Sequence, residues 1–183
     1  MKPIFLDRDG VVSIFTPNDY IKSWKEFSFI SGAKEGIARL CAAGFTPFFI
    51  SNQGGINKGL FSLEDLEEIT LRMREEICRA GGDFQKAYYC PHTAEENCSC
   101  RKPKTALFLQ AAEEYGPIDF SKTFFVGDSD IDVEAGRAIG CRTILVLSGK
   151  TRSKEETLSW KNRPDFIFSD LDAAASFIVN FRE

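Results

Sequence analysis

Four short stretches carry residues that could do chemistry together. "FLDRDG" (5–10) offers Asp7 and Asp9, and "SNQGG" (51–55) offers the hydroxyl of Ser51 and the amide of Asn52. "CRKPK" (100–104) brings the basic pair Arg101 and Lys102, and "GDSDID" (127–132) brings Asp128 with Asp132 four residues on. A carboxylate is a weak nucleophile, yet it can attack a phosphoryl group whose charge is neutralised. Neutralisation calls for a hard cation with oxygen ligands, hence Mg²⁺ held by Asp7 and Asp128. It also calls for a fixed positive charge at the equatorial oxygens, which Lys102 supplies. Asp9 would protonate the leaving oxygen and later deprotonate the attacking water. Ser51 and backbone N–H groups near Asn52 would bind the phosphoryl oxygens, and Asp132 would stand behind the metal, a direct ligand being the other reading. Alone, "DRDG" is also a good turn sequence, since Asp and Gly are both common in turns. Its company favours chemistry over a turn.

A second cluster, "CPHTAEENCSC" (90–100), holds the only histidine of the chain. Cys90, His92, Cys98 and Cys100 offer the four N/S ligands of a closed tetrahedral Zn²⁺ site. The C-x-H and C-x-C spacings are tighter than the usual C-x₂-C, and redox or catalytic cysteines are the other reading. Four protein ligands leave no open position, so such a zinc would fix the loop that delivers Arg101 and Lys102.

These residues need elements to position them. Short apolar runs at 3–7, 45–51, 86–90, 123–128, 143–147 and 165–168 read as strands, with Pro47 an awkward resident of the second. Helical patterns fall between and after them at 33–44, 62–81, 105–116, 132–140 and 171–181. Ser62 with Asp65 resembles a capping box, and Leu66, Ile69, Met73 and Ile77 share one helix face. The alternation implies an α/β three-layer sandwich with a mostly parallel sheet covered on both faces. In such sheets ligands bind outside the carboxyl ends of the strands, where all four motifs lie. No insertion interrupts the motifs, so residues 1–183 read as a single domain without a cap. The loops 11–30 and 90–100 must then shape the entrance.

Composition sets the limits. A chain of 183 residues buries roughly 70% of its unfolded surface and needs no staples. A net charge of −4 argues against a nucleic-acid surface. No run approaches a membrane span or a signal peptide, so a cytoplasmic protein is expected. Its six cysteines should then be reduced, and Cys41, Cys78 and Cys141 read as buried small hydrophobes. "SGKTRSKEE" (148–156) contains the "GKT" of a phosphate loop, but the glycine required five residues before Gly149 is Ile144. That loop therefore reads as solvent-exposed.

In order and spacing, the four motifs resemble those of the haloacid dehalogenase (HAD) superfamily of phosphatases. "CPH…CSCRKP" is similar to the branch of heptose bisphosphate and histidinol phosphate phosphatases. The resemblance runs from Ile4 to about Leu147. It implies a Rossmann-like fold, Mg²⁺ dependence and a structural Zn²⁺. Asp7 would be the nucleophile and Asp9 the acid/base, with the Asp9 main-chain carbonyl a metal ligand. Asp128 would be the other carboxylate ligand, Lys102 the phosphate lysine, and Arg101 would point into the substrate site. Val11, Ser51 and Ser129 stand where relatives often have a small hydroxyl residue, Thr and Lys. The function implied is a monomeric phosphomonoester hydrolase acting on a small phosphorylated metabolite, a heptose bisphosphate ahead of histidinol phosphate. Lys58, Lys150 and Arg152 are weaker candidates for substrate contact. A phospho-accepting signalling domain is the distant alternative, because Asp9 should hydrolyse its acyl phosphate.

Overall fold

The computed structural model describes residues 1–182. Among them, six strands form one sheet: β1 (Lys2–Leu6), β2 (Phe45–Asn52), β3 (Lys86–Cys90), β4 (Phe124–Gly127), β5 (Arg142–Val146) and β6 (Phe166–Phe168). Their spatial order is β3-β2-β1-β4-β5-β6, and every pairing is parallel. Five helices connect and follow them: α1 (Ala33–Ala42), α2 (Leu63–Arg79), α3 (Ala106–Tyr115), α4 (Asp130–Ile139) and α5 (Leu171–Asn180). The expected α/β three-layer sandwich is present. No helix among the described residues is long and apolar enough to cross a membrane.

The strand period of two decides which layer each side chain joins. Ile4 and Leu6 of β1, Phe124 and Val126 of β4, and Ile144 and Val146 of β5 face one core with α1, α2 and α5. Phe5 of β1, Phe125 of β4, and Phe48 and Ile50 of β2 face the other, with α3 and α4. The abundant phenylalanines do this packing: Phe108 meets Phe5 and Phe125 edge-on at 5.0 Å. Val11 and Val12 are fully buried in the first core. The departure at Val11 is therefore a packing choice that leaves the site untouched.

Pro47 sits in an inner strand because its missing N–H costs nothing there. Its carbonyl accepts from Gln85 N–H (2.8 Å), so its nitrogen faces the β3 side, where the partner strand begins only at Lys86. The capping box is formed: Ser62 Oγ accepts from Asp65 N–H (3.1 Å) and Asp65 Oδ2 from Ser62 N–H (2.8 Å). All four expected face residues of α2 are buried. Of the three cysteines expected inside, Cys141 is buried, Cys41 is half-buried and Cys78 is exposed. Cys78 lies near the C-terminal end of α2, one residue past the buried Ile77 and so round the helix from the apolar stripe. Strand order reverses between β1 and β4, which opens a crevice at their carboxyl ends.

Candidate active site

Asp7 is the first residue past β1. Its N–H is tied to the carbonyl of Val126 in β4 (2.9 Å), which places it at the mouth of that crevice. Asp128 follows β4, and Asp132 lies in the first turn of α4. Each of the three offers a carboxylate oxygen, these lie within 4.8 Å of one another, and all three residues are buried. Lys102 Nζ stands 3.0 Å from Asp7 Oδ1 and 2.7 Å from Asp132 Oδ1, and donates to the Ile50 carbonyl at 2.8 Å. Three carboxylates thus face one ammonium. The two negative charges left over are costly in a buried site. A divalent cation would balance them, and the all-oxygen donor set suits Mg²⁺.

The same imbalance shifts the protonation of each group. Burial pushes the Asp7 carboxyl up to about 6 against the pull of Lys102, and Asp132 and Asp9 add to the rise. Burial, then Asp132 and Asp7, hold Asp128 well above the usual carboxylate range. Burial draws the Lys102 ammonium down, but Asp132 and Asp7 outweigh it and keep its pKa raised. Asp132 has its Oδ2 engaged by Ser129 Oγ (2.5 Å) and Asp128 N–H (3.3 Å), and its Oδ1 by Lys102. These are the contacts of a residue that orients its neighbours. Ser129 serves here to fasten Asp132.

Asp128 is held by a segment read from sequence as solvent-exposed. Lys150 N–H donates to its Oδ2 (2.5 Å) and Thr151 N–H to its carbonyl (3.1 Å). Ser148 Oγ donates to the carbonyl of Gly10 (2.7 Å). Lys150, Arg152 and residues 154–156 are exposed as expected, while Gly149 and Thr151 are buried against the site. A Cβ at Gly149 or at Gly10 would overlap the Asp128 carboxylate, and Gly10 also has φ +85°. The glycine of "GKT" is thus explained by close approach to a carboxylate, and periodicity gives no hint of that.

Asp9 is bound to Arg8 through two bonds of 2.9 Å, and Arg8 is itself fully buried. Burial alone would raise the Asp9 carboxyl. Arg8, with hydrogen bonds from Gln53 and Ser13, holds it below the usual range instead.

Together Asp7, Asp9, Ser51, Asn52, Lys102 and Asp128 line a cavity of about 140 Å³. Phe15, Thr16, Asp19, Tyr20 and Ile21 of the 11–30 loop also line it, as expected, but no residue of 90–100, the other loop expected to shape the entrance, does. The 11–30 loop is pinned by Ile14 N–H to Ser28 carbonyl (2.8 Å) and Ile30 N–H to Val12 carbonyl (2.9 Å). Lys150 also lines the cavity, and Lys58 lies 5.4 Å from the ring of Tyr20. The Asn52 amide grips the Lys102 backbone from both sides, at 3.0 and 3.1 Å. Arg101 is not among the lining residues; its Nη1 donates to the carbonyl of His92 (3.0 Å).

The second cluster also assembles. Cys100 Sγ lies 3.2 Å from Cys90 Sγ and 3.5 Å from Cys98 Sγ, and Cys90 and Cys98 are 3.6 Å apart. His92 Nδ1 is 3.2 Å from Cys100 Sγ and 3.6 Å from Cys90 Sγ. These separations are far longer than a disulfide bond of about 2.05 Å. They come close to the roughly 3.8 Å edge of a tetrahedron whose corners sit about 2.3 Å from a central zinc.

A family model described as HAD-hydrolase-like matches residues 99–174. The chain is 42% identical to D-glycero-beta-D-manno-heptose-1,7-bisphosphate 7-phosphatase of Pseudomonas aeruginosa, over 96% of this chain and 97% of that one. It is 40% identical to the protein of the same name from Pseudomonas putida, over 98% and 100%. Among solved structures, D,D-heptose 1,7-bisphosphate phosphatase from B. bronchiseptica, complexed with magnesium and phosphate, superposes with a TM-score of 0.90 at 32% identity, with 98% of each chain covered. The chain, with its parallel sheet and its carboxylate–lysine crevice, belongs to the HAD-like hydrolases, in the family of the D-glycero-beta-D-manno-heptose-1,7-bisphosphate 7-phosphatases.

Proposed function

We propose that this protein removes the 7-phosphate of D-glycero-beta-D-manno-heptose 1,7-bisphosphate through a phosphorylated Asp7. The observation that carries the reading is the contact of Asp7 with Lys102 beside Asp128 at the floor of one cavity. Asp7 attacks the phosphorus, and the bond from phosphorus to the sugar oxygen breaks. Asp9 gives that oxygen its proton. A water then attacks the same phosphorus, Asp9 takes the water's proton, and the Asp7 carboxylate leaves. Lys102 and the Ser51 hydroxyl hold the phosphoryl oxygens throughout. Asp7, Asp128 and the Asp9 carbonyl would hold Mg²⁺, which supplies charge neutralisation at the phosphoryl group.

The substrate's second phosphate needs cations of its own. Lys150 lines the cavity, and Lys58 stands beside its wall. Arg101 remains a candidate, but its Nη1 must leave the His92 carbonyl before it can turn that nitrogen to substrate. Heptose 1,7-bisphosphate should exceed histidinol phosphate in kcat/KM by tenfold or more, about 1.4 kcal/mol. Lys150→Ala should narrow that gap mainly through KM for the bisphosphate. Equal or reversed preference in the unaltered protein would move the reading to histidinol phosphate or another monophosphate.

Cys90, His92, Cys98 and Cys100 would hold a structural Zn²⁺. Purified protein should carry close to one equivalent. Cys98→Ser should lose it, loosen residues 90–104 and lower kcat through a displaced Lys102. Less than half an equivalent, together with a stable and fully active Cys98→Ser, would remove the zinc from this account.

A further inference from the structure

Gln53 lies one residue past β2 and is fully buried. Its Nε2 donates to Asp9 Oδ2 (2.8 Å) and lies 3.2 Å from Ser51 Oγ, while its Oε1 has no hydrogen-bond partner. Its backbone N–H is fixed to the carbonyl of Cys90 (2.7 Å), at the start of the Cys/His cluster. One side chain thus joins the candidate acid/base to the hydroxyl expected to hold the phosphoryl group.

The surroundings of Asp9 show why that matters. Its Oδ1 accepts from Arg8 Nε (2.9 Å) and Ser13 Oγ (2.8 Å), and its Oδ2 from Arg8 Nη2 (2.9 Å) and Gln53 Nε2 (2.8 Å). A carboxylate offers about four lone-pair sites, so every site is engaged. Asp9 can exchange a proton with substrate or water only when one of these bonds yields. The two from Arg8 are charge-assisted, bidentate and buried, and are the strongest of the set. Ser13 has only the Arg8 carbonyl as an alternative acceptor, at 3.4 Å. Gln53 is a neutral donor whose amide also donates to Ser51 Oγ (3.2 Å), so it stays anchored when its bond to Asp9 yields.

Taking Asp9 as the acid/base, we propose that Gln53 is the positioning residue for proton transfer. It orients the Asp9 carboxylate at the cavity and yields Oδ2 while its bond to Ser51 keeps it in place. Arg8 and Ser13 hold the other contacts meanwhile.

The test uses Gln53→Met, which keeps the buried volume and removes the donor. Two substrates are compared with Mg²⁺ present. p-Nitrophenyl phosphate has a leaving group that needs no proton, and an alkyl sugar phosphate has one that does. With the aryl ester, the variant should show a burst of about one equivalent of p-nitrophenolate, then a steady state about tenfold below the parent protein. With the alkyl ester, departure of the sugar also needs the Asp9 proton, so formation of the phosphoryl-enzyme is slowed as well and no burst should precede the steady state. Ser13→Ala removes a donor to Oδ1 and should give the same pattern more weakly, so the test survives if Gln53→Met fails to fold. An equal loss on both substrates with no burst, or no loss at all, overturns the proposal. No phosphate release by the parent protein from either ester overturns the reading of Asp9 on which it rests.

Discussion

Asp7→Asn is expected to lose at least about a thousandfold in turnover while keeping its fold. Asparagine preserves shape and removes the attacking charge. The loss should not come from unfolding, because the substitution also relieves a crowded site. Asp7 shares one ammonium with Asp132 and stands close to Asp128. Removing one of three carboxylates leaves Lys102 its contacts with Asp132 and the Ile50 carbonyl. The metal-free variant should therefore melt no lower than the metal-free parent. Phosphate release and a thermal melt on the same samples check both parts. Retention of more than a tenth of the activity would sink the assignment.

Removal of magnesium should have an effect as large. Dialysis against EDTA should abolish turnover, and added Mg²⁺ should restore it, while the closed thiolate site keeps its zinc under the same treatment. A pH signature should accompany the loss. In the metal-free protein the Asp7 carboxyl is raised from 3.8 to about 6, and Asp128 is raised in the same direction. A carboxyl whose folded pKa is raised stabilises the fold below its unfolded pKa, and that stability fades as pH rises through the folded value. For Asp7 the loss is on the order of 3 kcal/mol between about pH 4 and pH 6. Bound Mg²⁺ removes the repulsion, so it should raise the melting temperature more at pH 8 than at pH 5. An equal shift at the two pH values, or turnover that survives EDTA, contradicts this account of the three carboxylates.

Much of the fold was legible because its elements are long enough to show a period or end in recognisable punctuation. Each strand and each helix falls where apolar runs and helical spacing put it, and the Ser62–Asp65 box marks the start of α2. The three 3-10 turns at Trp24–Glu26, Phe120–Lys122 and Glu155–Ser159 are too short to show any period. Burial of Cys78 was misjudged because composition does not say which side of a helix faces the core. The site residues were legible as motif letters, and the strand ends gather most of them at one edge. What they touch was not. Asn52 grips a backbone fifty residues away, Gln53 reaches Asp9, and the 148–151 turn holds Asp128. Each depends on parallel crossovers bringing distant loops together, and no local spacing encodes that.

The claim that Asp7 carries the phosphoryl group can be tested on the residue itself. In Asp9→Asn the water step is slowed, so p-nitrophenyl phosphate with Mg²⁺ should leave the acyl phosphate standing. Acid quench, borohydride reduction and peptide mass spectrometry should then find homoserine at position 7, and only after exposure to substrate. A protein that releases p-nitrophenolate yet shows unmodified Asp7, or a phosphoryl group on another side chain, would contradict the mechanism.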